Sequence, residues 1–434
     1  MNSTKSLFLI ITLFQLTLLN AQHGWQWTVL PQMPQAVANN AVVAGISNDT
    51  MSVYSFCGID ASLSPSGIHL KSFKYNTISG IWSILNDVPD TDGKIAAGAS
   101  LINGRIYLAG GYYVASNLSE ISSDKLHVFN PQSDSWMDDA MNIPVPIDDH
   151  VQVSYNDSLL YLITGWSNTT NVSAVQVYNT YDDSWEAGSP VPSNTAYRVF
   201  GASGAVVGDT IYYAGGVKSS GQFSAGNRMR KGVIADNPLE IEWSLLDENP
   251  GNAIYRSAVL THENKVYWLG GTGDAYNFDG LAYDNSGPST PEPRILAFDT
   301  NTMEWNEGEQ SPFAIMDFRG AAQIAENEWI ICGGMTDGPE VSNQAYLLTF
   351  ESETGTQESI LSPCIEWNCA GERLKVTSKC GNNIHSLSLY NRNGQLLKQS
   401  KVGELNYPFQ KNELYIFHVN SAEGTSLARI SFMR

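Results

Sequence analysis

The chain has 434 residues, with 24 lysines and arginines against 44 aspartates and glutamates, and a formal net charge of −20. Only 16% of residues are charged while 42% are hydrophobic, a balance that favours a packed protein over a disordered one. The acidity argues against nucleic acid and anionic membrane surfaces as partners, because neutralising phosphates needs a basic patch and no basic run is visible.

In chain order, the first element reads as an export signal over residues 1–21. Lys5 supplies the positive charge, Leu7 to Leu19 is almost wholly apolar, and Ala21 offers a small residue at a cleavage point. The apolar run is about 13 residues, short of the roughly 20 needed to span a bilayer. No later segment is apolar enough, so no membrane span is expected. The mature chain is predicted to begin at Gln22 and to be secreted or held at the outer cell surface. Cys57 and Cys332 lie in apolar strand-like runs and read as buried free thiols. Cys364, Cys369 and Cys380 cluster, so one disulfide among them is expected in an oxidising compartment, with the pairing open.

Residues 22–352 carry an internal repeat of about 55 residues. Ile106-Tyr-Leu-Ala-Gly-Gly111 recurs as Ile211-Tyr-Tyr-Ala-Gly-Gly216, Val266-Tyr-Trp-Leu-Gly-Gly271 and Trp329-Ile-Ile-Cys-Gly-Gly334. Degenerate copies end at Gly58 and Gly165. Trp27, Trp82, Trp136, Trp185, Trp243 and Trp305 keep step, each followed seven or eight residues later by a proline. Each unit holds four short strands joined by turn chemistry such as Asn103-Gly104. A lone four-stranded sheet cannot bury both faces, but six arranged radially cover one another.

The doubled glycine, the tryptophan in register and the unit length resemble a kelch-repeat β-propeller. The fold class implied is all-β, a six-bladed kelch propeller followed by a small C-terminal β-sandwich. The segment Trp25 to Leu30 is expected to complete the last blade; the alternative is a fourth strand over Gln357 to Ser362. Residues 362–434 alternate as sandwich strands with a turn at Asn391-Arg-Asn-Gly394. Tyr390-Asn-Arg-Asn-Gly394 and Leu414-Tyr-Ile-Phe-His-Val419 are similar to motifs of type IX secretion sorting domains of Bacteroidetes. Leu361-Ser-Pro-Cys364 stands where such domains carry a Tyr-Pro-Asn-Pro-like segment.

Long second-to-third connections, at Gly58–Gly67, Val217–Gly232 and Thr272–Arg294, leave on the face where inner strands begin, and variable loops on a rigid scaffold commonly bind. Counting back a fixed number of residues from the glycines places Val43, Ala96, His150, Gly201, Arg256 and Arg319 at the inner-strand starts. The ligand-contacting candidates are therefore Asp149, His150, Tyr197, Arg198, Tyr255, Arg256, Asp317 and Arg319, around the mouth of the central channel. Arginine forks suit a carboxylate or sulfate, and aromatic rings suit sugars. The competing assignment makes the arginines braces satisfied by Asp149 or Asp317. Asp274 to Asp284 reads as a solvated loop; its spacing matches no calcium motif. No metal site, cofactor signature or nucleophile motif is seen.

The expectation is a monomeric binding protein recognising a glycan or an extracellular protein at the loop face. The alternative is an enzyme resembling exported sialic-acid mutarotases, with Arg198, Arg256 and Arg319 holding a carboxylate and Asp149, His150 or Asp317 moving protons.

Overall fold

The computed structural model describes residues 24–219, 222–306 and 309–351, and in the tail 365–370, 373–378, 384–391, 395–401, 404–408, 414–421 and 424–431. The expected export signal, the alternative strand Gln357–Ser362, and the side chains of Cys364, Cys369 and Cys380 lie outside the described residues. Two compact units divide between Glu351 and Ser352. Among the described residues no helix is long and apolar enough to cross a membrane.

The first unit is a six-bladed all-β propeller. Each blade is built on four antiparallel strands, in sequential order in blades 1 to 5, as in Ala41–Ser47, Thr50–Ile59, Ile68–Asn76 and Ile81–Leu85 of blade 1; in blade 2 the short strand Glu120–Ser122 adds a fifth. The inner strands of blades 2 to 6 are Ile95–Ile102, Val151–Tyr155, Ser203–Val207, Ala258–His262 and Ala322–Ala325. Blade 6 takes its outer strand from the start of the chain: Gly24–Leu30 pairs with Ala345–Glu351, with Trp25 opposite Phe350 and Trp27 opposite Leu348. The two ends of the propeller segment are thereby joined by a full strand of hydrogen bonds.

Alternating side chains feed six cores, one between each pair of neighbouring blades. Ile106 and Leu108 of blade 2 pack with Tyr54 and Phe56 of blade 1, while Tyr107 and Ala109 face Leu160 and Leu162 of blade 3. Period-2 alternation with both faces apolar is what a radially stacked sheet requires.

The doubled glycines have a backbone reason. At Gly110, Gly215, Gly270 and Gly333 a Cβ would lie 2.2, 2.1, 2.4 and 2.4 Å from a carbonyl oxygen of the connection leading to the next blade. All four also have positive φ. The following glycine donates its N–H to the same carbonyl, for example Gly111 to Ile147 at 3.0 Å and Gly216 to Ile254 at 2.7 Å. The tryptophans secure the rim. Indole N–H groups of Trp82, Trp136, Trp185, Trp243 and Trp305 donate to carbonyls of Pro31, Asn86, Met141, Ser189 and Asp247 at 2.8 to 3.1 Å, each in the chain leaving the preceding blade. Trp27 meets Phe313 edge-on at 5.1 Å.

The second unit contains two antiparallel sheets. One joins Ile365–Ala370, Arg373–Ser378 and Glu404–Asn406; the other joins Leu396–Ser400, Ile384–Asn391, Leu414–Ser421 and Gly424–Ser431.

Candidate functional site

Six residues at the starts of the inner strands share one unusual backbone state. Asn39, Ala96, Asp149, Gly201, Arg256 and Asp317 have φ of 53, 59, 47, 68, 49 and 67°. Left-handed backbone is uncommon outside glycine and asks for compensation. Here it comes from hydrogen bonds that step from blade to blade around the axis. Asp149 N donates to Ala96 O at 3.0 Å, Gly201 N to Asp149 O at 2.7 Å, and Arg256 N to Gly201 O at 3.0 Å. Phe318 N donates to Arg256 O and Asn39 N to Asp317 O, both at 3.1 Å. Ala96 N donates to the Asn39 side-chain oxygen at 3.0 Å, completing the girdle.

This girdle is cross-braced by charge. Arg256 is 1% exposed and donates through Nη2 and Nε to Asp149 at 2.6 and 3.3 Å, and through Nη1 to Asp317 at 3.3 Å. The faces of Tyr255 and Tyr276 flank its guanidinium at 5.0 and 5.2 Å. Tyr276 also donates its hydroxyl to Asp317 at 3.0 Å. Arg319 donates to Asp149 at 3.0 Å and to the carbonyls of Ala96 and His150 at 3.3 Å. Despite the loss of hydration, the carboxylates around it hold the Arg256 guanidinium well above its ordinary pKa, firmly charged.

The girdle separates two cavities. Below it lies the axial channel, about 410 Å³, walled by small and apolar residues of the inner strands and reached by His150, Gln152 and Arg319. With its amide nitrogen turned toward the imidazole, Gln152 donates to His150 Nε2 at 3.0 Å and accepts from Ser100 N at 3.2 Å. Burial, and after it the nearby Arg319, lowers the His150 pKa to about 4, so the ring is neutral at pH 7. Above the girdle, on the loop face, is a narrower pocket of about 140 Å³. Arg256 and Asp149 form its floor. Glu120 and Asp148 project into it, and Trp166, Phe200, Phe223 and Tyr283 wall it. Burial, with Asp149 close by, pushes the Asp148 carboxyl well above the usual range, and burial also raises Glu120.

Residues 53–343 match the Attractin/LZTR1 beta-propeller family, more than half of the chain. The chain belongs to this family. Among curated relatives, Kelch-like protein 15 of Danio rerio is 22% identical over 58% of this chain, and Kelch-like protein 23 of Mus musculus 25% identical over 53%. Kelch-like protein terF of Aspergillus terreus is 27% identical over 38% of it. The chain spans only 34 to 40% of the length of these relatives. A solved structure, "Structure of YjhT", shares the fold with a TM-score of 0.57 at 15% identity, covering 80% of this chain and 99% of that one.

Within this Attractin/LZTR1 propeller, the residues expected at the channel mouth divide into groups. Asp149, Arg256, Asp317 and Arg319 come together, and what they touch is one another. His150 lies on the channel side of the girdle. Tyr197, 8% exposed, packs in the core between blades 3 and 4. Arg198 stands apart: its carbonyl accepts from Asn171 Nδ2 at 3.3 Å, and no carboxylate pairs with it among the described residues. Tyr255 is fully buried and donates its hydroxyl to Tyr276 O at 3.3 Å, so its ring is not open to a sugar. The fixed count from the glycines is also corrected. It finds Ala96, Gly201 and Arg256, but lands on Val43, His150 and Arg319 where the girdle holds Asn39, Asp149 and Asp317, because hairpin length varies between blades. In blade 1 the difference comes with a bulge between Phe56 and Gly58.

The loop-face aromatic residues and Glu120 were not among the sequence candidates. Their one signal is an aromatic side chain inside an otherwise polar long loop, as at Phe223 and Tyr283. Two aspartates of the Asp274–Asp284 loop serve local turns, Asp279 accepting from Leu281 N at 3.1 Å and Asp284 from Ser286 N at 2.9 Å, while Asp274 accepts from Thr290 N at 3.4 Å.

Proposed function

We propose that the chain is an exported binding protein whose propeller recognises a protein partner on the loop face. One observation carries the reading. The axial charges are consumed by each other, whereas the pocket above them is open and is built by loops of four different blades. Loops held by a rigid scaffold are a common way to build a recognition surface. At about 140 Å³ the pocket is also smaller than the roughly 300 Å³ typical of small-molecule sites, a size that suits one protruding side chain better than a sugar ring. The mutarotase alternative needs its three arginines free to hold a substrate carboxylate, and two of them, Arg256 and Arg319, hold Asp149 and Asp317 instead, leaving Arg198 alone for that role. Export rests on the N-terminal charged-then-apolar segment and the tail's likeness to sorting domains.

The test places a photo-crosslinking residue at Leu118 or Leu281 on the loop face, 73% and 46% exposed, or at Tyr181 or Ile78 on the opposite hairpin face, 71% and 81% exposed. A saturable adduct of one defined mass, formed from Leu118 and Leu281 and competed by unlabelled full chain, is expected. Adducts confined to Tyr181 and Ile78 would overturn the choice of face. Saturable binding to a glycan array with no protein adduct would overturn the choice of partner.

A further inference from the structure

The loop-face pocket holds more acid than the girdle's arginines neutralise. Only Arg256 lines it, and Arg256 with Arg319 on the channel side serves Asp149 and Asp317. Asp148 and Glu120 remain in surplus. Asp148, 3% exposed, lines the pocket and accepts one side-chain hydrogen bond, from Ser122 Oγ to Oδ2 at 2.5 Å, while Oδ1 accepts none among the described contacts. Glu120 reaches the same space without a hydrogen bond or ion pair among the described contacts. A buried carboxyl without a partner is costly unless a donor or a cation arrives.

The walls favour the same guest. Trp166 meets Phe200 and Phe223 at 5.6 Å, and Phe223 meets Tyr283 at 4.7 Å, so the rings form one continuous lining. Ring faces carry partial negative charge and attract a cation within about 6 Å, most strongly where water is excluded. A divalent metal fits poorly. Calcium asks for six to eight oxygen ligands, roughly three to four times what two carboxyl groups of a largely carbon cavity offer singly. No cluster of three or more metal-ligating side chains occurs among the described residues. An organic cation on an apolar stem matches every surface: the stem lies along the rings while the charged head reaches the carboxyls.

We propose that this pocket receives the ammonium group of a lysine side chain presented by the protein partner. The proposal rests on the loop-face reading above and adds the chemistry of the contact. A compact ammonium suits the small volume, and its three donors can serve Asp148 and Glu120 together, whereas a planar guanidinium is wider and prefers a bidentate carboxylate.

The test titrates N-acetyl-lysine methylamide into the full-length chain, followed by saturation-transfer NMR, with the norleucine and arginine counterparts alongside. The lysine probe is expected to saturate and the norleucine probe to fail. Glu120→Gln should weaken the lysine probe about tenfold or more. Asp236→Asn, an exposed change on the opposite face, should leave it unchanged. The Glu120 side chain makes no hydrogen bond or ion pair among the described contacts, and the substitution leaves its backbone pairing with Val114 in place, so the variant should melt like the parent chain; Tyr283→Leu gives an independent second reading of the wall. The proposal falls if the norleucine probe binds equally, if arginine binds more tightly, if Glu120→Gln has no effect, or if no probe saturates. Crosslinking from Leu281 separates the two levels. An adduct that persists undiminished in Glu120→Gln keeps the partner and removes the lysine, while no loop-face adduct in the parent chain removes the partner reading itself.

Discussion

Arg256 offers the sharpest test of the girdle. Replacing it by methionine keeps much of the stem's volume but removes the charge that Asp149 and Asp317 share. The consequences for the two carboxylates differ. Asp149 retains Arg319 at 3.0 Å, whereas Asp317, 0% exposed, is left with the Tyr276 hydroxyl and with Oδ2 lacking any partner. Breaking a buried pair from one side costs about 3–5 kcal/mol, because the remaining charge stays out of water. Arg256→Met should therefore lower the unfolding free energy by that amount, read as a lower urea midpoint at unchanged slope. The burden sits on Asp317, so Asp317→Asn in the same chain should recover part of it, giving a coupling energy of at least 1 kcal/mol in the double-mutant cycle. pH supplies a second check. Burial already raises the Asp317 carboxyl while Arg256 pulls it down, so losing the arginine raises it further. A carboxyl raised on folding costs nothing below its unfolded pKa and progressively more as pH climbs above it. The penalty of Arg256→Met should thus shrink between pH 8 and pH 5. A loss below about 1 kcal/mol, or strict additivity with Asp317→Asn, would refute the brace.

Two further predictions concern the axis. Gly201→Ala puts a Cβ 2.1 Å from the Tyr255 ring at a φ of 68° and should cost about 3 kcal/mol by denaturant melts, whereas Gly104→Ala, at φ of 70° with nothing within 4 Å, should cost about 1; equal losses would show that the ring contact is not limiting. Folding lowers the His150 pKa from an ordinary 6.5 to about 4, so between those values the unfolded chain binds the extra proton and stability falls as pH drops. His150→Gln should reduce that slope by up to about 1.4 kcal/mol per pH unit. The raised Asp148 carboxyl acts in the opposite sense, so the reading is the difference between variant and parent; identical slopes would contradict a neutral, buried His150.

The repeat could be read from the sequence because each of its markers answers a backbone demand that recurs unchanged around the ring. Gly110, Gly215, Gly270 and Gly333 all meet the carbonyl of the next connection, and only glycine fits there. Where the demand is met otherwise, the marker degrades: Thr164 takes the first position with φ of 46° and bonds Val172 O and Val199 O through its hydroxyl. The tryptophans persist because an indole N–H has one bond to make, and the preceding blade supplies the same carbonyl in five repeats.

The site obeys no such period, and that is why the sequence showed only part of it. Residue type marked Arg256 as a fork suited to an anion. Its anion proved to be Asp149, 107 residues away in the chain and two blades around the ring, a pairing that no local pattern encodes. Asp149 itself was visible only as a neighbour of the counted position, since the hairpin of its blade is a residue longer than those of Gly201 and Arg256. Glu120, Trp166, Phe223 and Tyr283 come from loops of four blades, each unlike the others, and meet only after the ring closes. Repetition therefore specifies the frame, and the departures from it specify the pocket. A basic side chain held between Asp148 and Glu120 would accordingly be recognised by residues that the repeat leaves free to differ.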